Sequence, residues 1–265
     1  MQFKKYIIIG LLGVGFSSCG EYHKVLKSDD SARKYAMAEE LYKTGKYRRA
    51  TELFKQIANE YAGRPQGERI FYMYGDAYYK LKQYTLAAYP FQRFQNLYPR
   101  SEKVAEVAFL EAKMFYIDTP EYSVDQQPTN EALEKLQLFL DKYPNSEYAK
   151  EASDMVVDLL TRLQKKEFEI AKQYNTIRDY QASMTSLDNF LANNPGSVFR
   201  EEALYVRLNS AYEWAINSVE HKKKERLNTA KEAYEILLRS FPETKYRKEA
   251  DKMLEKIEST LKNFS

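Results

Sequence analysis

A chain of 265 residues with 41 lysines and arginines against 38 aspartates and glutamates carries a formal charge of +3, which excludes the dense basic surface of a general nucleic-acid binder. A single cysteine excludes an intramolecular disulfide. The charged fraction of 30% with only 9 glycines points to mostly helix and little strand, and 23 tyrosines require recurring packing positions to absorb them.

The first element is not part of the fold. Lys4 and Lys5 precede an apolar run from Tyr6 to Phe16, and small residues stand directly before Cys19. The run is too short for the roughly 20 residues that span a bilayer as a helix, so it reads as a removed signal. Phe16-Ser17-Ser18-Cys19 resembles a bacterial lipoprotein signal, with Phe16 where leucine is usual. That resemblance implies that residues 1–18 are cleaved and that Cys19 becomes the N-terminus and carries lipid. Loss of Lys4 and Lys5 lowers the formal charge from +3 to +1. Residues 19–30 are expected to be a flexible tether, reaching about 30 Å if extended. Gly20 rather than aspartate follows the cysteine, which by the same resemblance implies transfer to the outer membrane.

From Ser31 onward the chain repeats. The stretch Phe71 to Pro99 reads as a helix, a turn and a second helix, with small residues at Gly75 and Ala87 and large ones at Tyr78, Tyr84, Phe91, Phe94 and Tyr98. Thirty-seven residues upstream stand Ala38, Leu41, Tyr47, Ala50, Phe54, Ile57 and Tyr61. A third copy reads Ala112, Phe115, Ala132, Leu136, Phe139 and Tyr143, and a fourth reads Ala171, Tyr174, Tyr180, Ser183, Leu187 and Phe190. A fifth ends Ala230, Tyr234, Leu237 and Phe241. Small positions let antiparallel helices approach, and large ones fill the seam against the next pair. The pattern resembles the tetratricopeptide repeat of about 34 residues, with insertions in the later copies. The expected fold is therefore all-α, a solenoid of about five helical hairpins. Residues 31–145 form an N-terminal half with three repeats, and residues 146–265 a C-terminal half with two repeats and a capping helix.

Helix stops recur at Pro99, Pro144, Pro195 and Pro242, each followed two residues later by a hydroxyl that can cap the next element: Ser101, Ser146, Ser197 and Thr244. A long helix is expected from Ser146 to about Thr176. Loops are expected at the insertion Asp118 to Thr129, which holds Pro120 and Pro128, and near Ser218 to Arg226, which holds the basic run His221-Lys222-Lys223-Lys224.

Catalytic chemistry has little foothold. The two histidines, His23 and His221, fall in expected loops, and neither a phosphate-binding glycine loop nor a zinc-ligand spacing is present. No catalytic residue, metal site or cofactor is expected beyond the covalent lipid on Cys19, and an enzyme is not expected. A stacked array instead offers a groove lined by the first helix of each hairpin. Positions three before and four after the first small residue project inward in such repeats: Tyr35 and Tyr42, Tyr72 and Tyr79, Phe109 and Tyr116. One residue after each small position stand Glu39, Asp76 and Lys113. Such a double row of aromatics with interspersed charge suits an extended peptide bearing aromatic side chains.

Signal, lone cysteine and repeats carrying YKTGKYRRATELF and YKLKQYTLAAYPFQRFQNLYPRSEKVAEVAF together resemble the BamD family of outer-membrane assembly lipoproteins, over essentially the whole chain. The resemblance implies a periplasmic scaffold anchored by lipid to the outer membrane. Its implied partners are a BamA-type barrel subunit and unfolded outer-membrane barrel precursors, whose signals end in aromatic residues; nucleic acid is not among them. The alternative is a lipid-anchored repeat protein that organises cell wall or binds glycans.

Overall fold

The computed structural model describes residues 20–264, so the signal segment and Cys19 lie outside the described residues. Among those described there is helix and no strand. Helix α1 covers residues 20–27. Five hairpins follow: α2 (Ser31–Lys43) with α3 (Tyr47–Ile57), α4 (Pro65–Lys80) with α5 (Tyr84–Leu97), and α6 (Val104–Ile117) with α7 (Gln127–Lys142). The last two pair α8 (Ala149–Thr176) with α9 (Tyr180–Asn193) and α10 (Arg200–Ile216) with α11 (Glu220–Ser240), before the closing α12 (Arg247–Leu261). This is the all-α repeat architecture that the small and large positions call for.

The chain divides into two units, and the division does not fall at residue 145. The first unit runs to Asp118 and includes Glu131–Ser153; the second comprises Thr119–Asn130 and everything from Asp154. The insertion therefore belongs to the second unit. It is no free loop: Gln126, buried, donates through Nε2 to the carbonyls of Glu121 and Val124 at 2.9 Å each and accepts from Thr129 at 2.9 Å. Lys166 and Arg162 of α8 then donate to the Val124 carbonyl at 2.6 Å and to the Thr119 hydroxyl at 3.0 Å.

Within the first unit the small positions act as the sequence requires. A Cβ on Gly75 would collide with the Phe91 ring, so the absence of a side chain is what lets α4 lie on α5. Ala38, Ala50 and Ala87 are fully buried beside Phe54, Phe71, Phe91 and Phe94. Each such aromatic, taken wholly from water, contributes about 1.5–3 kcal/mol. In the second unit Phe168, Ala171, Leu187, Phe190 and Ala203 form one cluster, and Leu204, Leu208, Leu227, Leu237, Ala250 and Ile257 lie in another, closed by α12.

Three hairpin turns share one geometry. Gly45, Lys82 and Arg178 occupy the left-handed region, with φ of 74°, 58° and 67°. In each, the residue that follows donates its N–H back to the carbonyl five residues earlier: Lys46 to Leu41 at 2.8 Å, Gln83 to Tyr78 at 2.9 Å and Asp179 to Tyr174 at 2.9 Å. This bond satisfies carbonyls left open by the ending helix, and only the first turn uses the residue that adopts it without strain. The hydroxyls after the prolines cap the approach turn rather than the helix proper. Ser101, Ser197 and Thr244 accept the N–H two residues on, at 3.0, 3.2 and 3.3 Å. The Ser146 hydroxyl is buried with no hydrogen-bond partner among the described residues.

Three expectations are corrected. Residues 20–27 are not a tether but a helix whose Tyr22 and Val25 are buried in the first unit's core, because successive turns supply an apolar face that α3 accommodates. The run His221 to Lys224 is not a loop; it forms the first turn of α11, so the second insertion is absorbed as added helix. His23 likewise lies in α1 rather than in a loop.

Candidate functional site

The first helices of the first unit, α2, α4 and α6, carry the expected aromatic and charged residues, and the structure spends many of them on joining one hairpin to the next. The Tyr42 hydroxyl donates to Asp76, which also pairs with Lys80 at 2.6 Å. The Tyr72 hydroxyl donates to Glu106 at 2.7 Å. Glu39 pairs with Arg69 and, at 3.0 Å, with Lys43; Lys113 pairs with Glu151 at 2.6 Å. Each bridge reaches from one hairpin to its neighbour, apart from those of Lys80 and Lys43 along their own helices. Asp76, at 6% exposure, is a buried acid whose Oδ2 is shared by Tyr42 and Lys80, not an exposed charge offered to a ligand.

Burial raises the Tyr42 phenol, and the hydrogen bond to Asp76 and that residue's charge raise it further, to about 12 against an ordinary 10.0. The Tyr72 phenol rises more, through burial first and then Glu106. Burial also raises Tyr35 and Tyr79. The fold thus favours the neutral form of all four, and Tyr42 and Tyr72 use it to donate. Their rings lean on partners of the same unit, Tyr35 on Tyr61 with centroids 6.1 Å apart and Tyr79 on Tyr84 at 5.6 Å.

Phe109 departs from the expectation. At 3% exposure it is core, sandwiched by Phe139 at 5.6 Å and stacked on Tyr148 at 5.0 Å and 14°. The double row therefore holds five half-buried tyrosines and one enclosed ring.

The reason is a rule that holds after three of the four interhelix prolines. The residue four beyond the interhelix proline lies on the aromatic three before the small position: Tyr148 on Phe109, and Phe199 on Phe168 at 5.6 Å and 12°. The last hairpin repeats the stack with Tyr246 on Tyr205 at 4.1 Å and 5°, although Leu208 stands where the other hairpins have the small residue. After Pro99 the corresponding residue is Lys103, whose ammonium sits 5.0 Å from the centroid of the Tyr72 ring. A slender aliphatic stem replaces a ring, and the space is left open.

A cavity of about 290 Å³ occupies that place. Tyr42, Tyr72, Met73 and Phe94 supply its apolar walls, and Lys43, Arg69, Lys103, Glu39 and Glu68 its rim. The two acids are already engaged, Glu39 by Arg69 and Lys43, Glu68 by the Ser101 hydroxyl at 2.5 Å. The side chains of Lys43, Arg69 and Lys103 remain more than half exposed although each has an acidic partner, Glu39 for the first two and Glu106 at 2.7 Å for Lys103, so an incoming carboxylate would share or exchange these pairs. Of the nine expected groove residues the cavity gathers Glu39, Tyr42 and Tyr72. Tyr35, Asp76, Tyr79, Phe109, Lys113 and Tyr116 lie elsewhere on α2, α4 and α6. Met73, Phe94, Arg69 and Lys103 were not anticipated, although Lys103 was legible as the one non-aromatic residue in the series Lys103, Tyr148, Phe199, Tyr246.

A family model described as "YfiO: Outer membrane lipoprotein" matches residues 27–185 and 174–263. The chain belongs to the YfiO family of outer membrane lipoproteins. Its relatives carry the name outer membrane protein assembly factor BamD. The protein of Neisseria meningitidis serogroup B is 22% identical over 262 residues, covering 93% of this chain and 94% of the relative. That of Caulobacter vibrioides is 27% identical over 181 residues, covering 67% and 58% respectively. That of Rickettsia prowazekii is 26% identical over 168 residues, covering 63% and 66%. This member of the BamD family has no helix among its described residues that is long and apolar enough to cross a membrane. Nor do its described residues hold a group of three or more histidine, cysteine or acidic side chains placed to bind a metal ion.

Proposed function

We propose that this chain is a non-catalytic assembly factor for outer-membrane β-barrel proteins, held at the periplasmic face by lipid on Cys19, with the first unit's cavity as its capture site. The family and the names of the relatives support the assembly role. The observation that carries the capture site is the gap left by Lys103: an apolar cavity large enough for an aromatic side chain, with Lys43, Arg69 and Lys103 at its mouth. An unfolded barrel precursor that ends in an aromatic residue presents a ring and a carboxylate on the same residue. The ring enters between Tyr42, Tyr72 and Phe94, and the carboxylate meets the three cations, where Arg69 can offer two parallel donors. A BamA-type barrel subunit is the second partner in this reading, contacted away from the cavity.

Binding of a fluorescent peptide ending in a free phenylalanine tests the site. Tyr72→Ala and Arg69→Glu are expected to weaken it about tenfold or more, and amidation of the peptide's terminus to weaken it comparably, as expected for loss of a charge-assisted contact of about 1.5–3 kcal/mol. Binding that is indifferent to all three changes overturns the capture site. Purification of the membrane-extracted protein without a large barrel protein overturns the second partner.

A further inference from the structure

Helix α1 is amphipathic in an unusual sense. At 100° per residue, Tyr22, Val25 and Leu26 fall on one side, and Gly20, His23, Lys24 and Lys27 on the other. The first side is docked. Tyr22 is 7% exposed and Val25 fully buried, the Tyr22 hydroxyl reaches the Arg49 carbonyl at 3.5 Å, and the Arg49 guanidinium lies 5.3 Å from the Tyr22 ring centroid. Gly20, His23, Lys24 and Lys27 are all exposed. The helix has one acid, Glu21, on its flank, where it faces Arg33 at 3.4 Å. Glu52 of α3 acts on Tyr22 from another element, and its charge is opposed there by Arg49. The outward face thus carries basic side chains and no carboxylate.

Its position in the chain gives that face a direction. Gly20 lies on the basic face, and Cys19 is one peptide bond before it. If Cys19 carries the lipid, as the proposed function holds, no slack separates the anchor from a helix packed into the first unit. We infer that the outward face of α1 is a membrane-contact surface, seating Lys24 and Lys27, flanked by His23, on anionic phospholipid headgroups. A lysine near such a surface is worth about fivefold in occupancy, so two give about thirtyfold, an effect that falls with salt. The lipid then fixes the protein to the bilayer and α1 fixes which side of the first unit meets it.

The acylated full-length protein in vesicles tests this, because acylation leaves Cys19 unreactive to maleimide and an introduced cysteine is then the sole target. His23→Cys and, at an exposed position of α5, Asn96→Cys are each labelled with a membrane-impermeant maleimide. The vesicles are phosphatidylcholine alone, or equal parts phosphatidylcholine and phosphatidylglycerol. Labelling at position 23 is expected to slow markedly on the mixed vesicles only, and to recover when Lys24→Gln and Lys27→Gln are added, while position 96 labels alike throughout. Flotation separates the two ideas. Protein that does not float with vesicles defeats the anchor, and the contact surface with it. Protein that floats but labels at position 23 equally on both vesicles, or with and without the two lysines, overturns the contact surface and leaves the anchor standing.

Discussion

The two units place different chemistry at equivalent positions of the repeat. Four residues after the small position the first unit has Tyr42, Tyr79 and Tyr116, whereas the second has Tyr212 in α10 but Asn175 in α8, whose amide donates to Asn209 at 3.0 Å and to Ser210 at 2.8 Å. The residue one after is charged in the first unit and in α8, where Lys172 pairs with Glu202 at 2.6 Å much as Glu39 pairs with Arg69, but in α10 it is Asn209. Three residues before, Phe168 is capped by Phe199 while Tyr72 is covered only by Lys103. Joining successive hairpins therefore demands a donor and an acceptor at fixed spacing but not a particular pair. Amides and hydroxyls serve as well as phenols and carboxylates. What the first unit gains from its tyrosines is ring surface that remains half-exposed beside a gap, and this is where an apolar cavity with a cationic rim can exist.

The contrast can be broken most strongly at Gly75. Its equivalent in α8 is Ala171, in one buried cluster with Leu187, whose place in the repeat is that of Phe91. Gly75→Ala is expected to lower stability by about 1–3 kcal/mol through overpacking, and Phe91→Leu in the same chain to recover part of it. Denaturant unfolding of the single and double variants checks both.

Asp76 tests the tyrosine clips. Asp76→Asn removes the charge that Tyr42 and Lys80 share and is expected to cost about 1–2 kcal/mol. It should also let the Tyr42 phenol titrate below its present value of about 12, read by phenolate absorbance. The sign of the pH dependence follows. Tyr42 is raised from 10.0 to about 12 and Tyr72 and Tyr74 are raised as well, so the fold favours their neutral forms. The stability they contribute is complete below pH 10 and is lost as pH climbs through about 12, which circular dichroism across that window would follow.

Lys103→Tyr sharpens the comparison by imposing the second unit's rule on the first. The new ring is expected to stack on Tyr72 as Tyr148 does on Phe109, adding about 0.5–1.5 kcal/mol while filling the cavity and abolishing capture of the aromatic-ended peptide. A variant that is more stable yet binds unchanged would refute the cavity's origin. The smallest effects belong to the turns. Lys82→Gly and Arg178→Gly, one in each unit, are expected to stabilise by a few tenths to about 1 kcal/mol, since glycine relieves the left-handed strain and gives back part of that gain as chain entropy.

How much of this was legible depends on how local the signal is. The hairpins could be read because Ala38, Gly75, Ala112 and Ala171 sit at fixed distances from their aromatic partners, and periodicity survives without knowledge of the fold. The groove was legible only in outline. Nothing within α6 says that Phe109 is enclosed while Tyr72 is not, because the residue that decides is Tyr148 in one case and Lys103 in the other, each on the far side of a connection. The tether failed for a similar reason: eight residues are too few for a helix to persist alone, and α1 exists because α3 receives Tyr22 and Val25.

By itself the sequence determined the all-helical class, the repeat, its small and large positions and the lone cysteine, all written in spacings along the chain. Tertiary structure alone decided which aromatics are core and which line an opening, which acids are consumed by neighbouring hairpins, that the insertion 119–130 joins the second unit, and that the first helix docks. These turn on contacts between residues some thirty to forty positions apart, whose free energy is set by what covers a side chain rather than by what precedes or follows it.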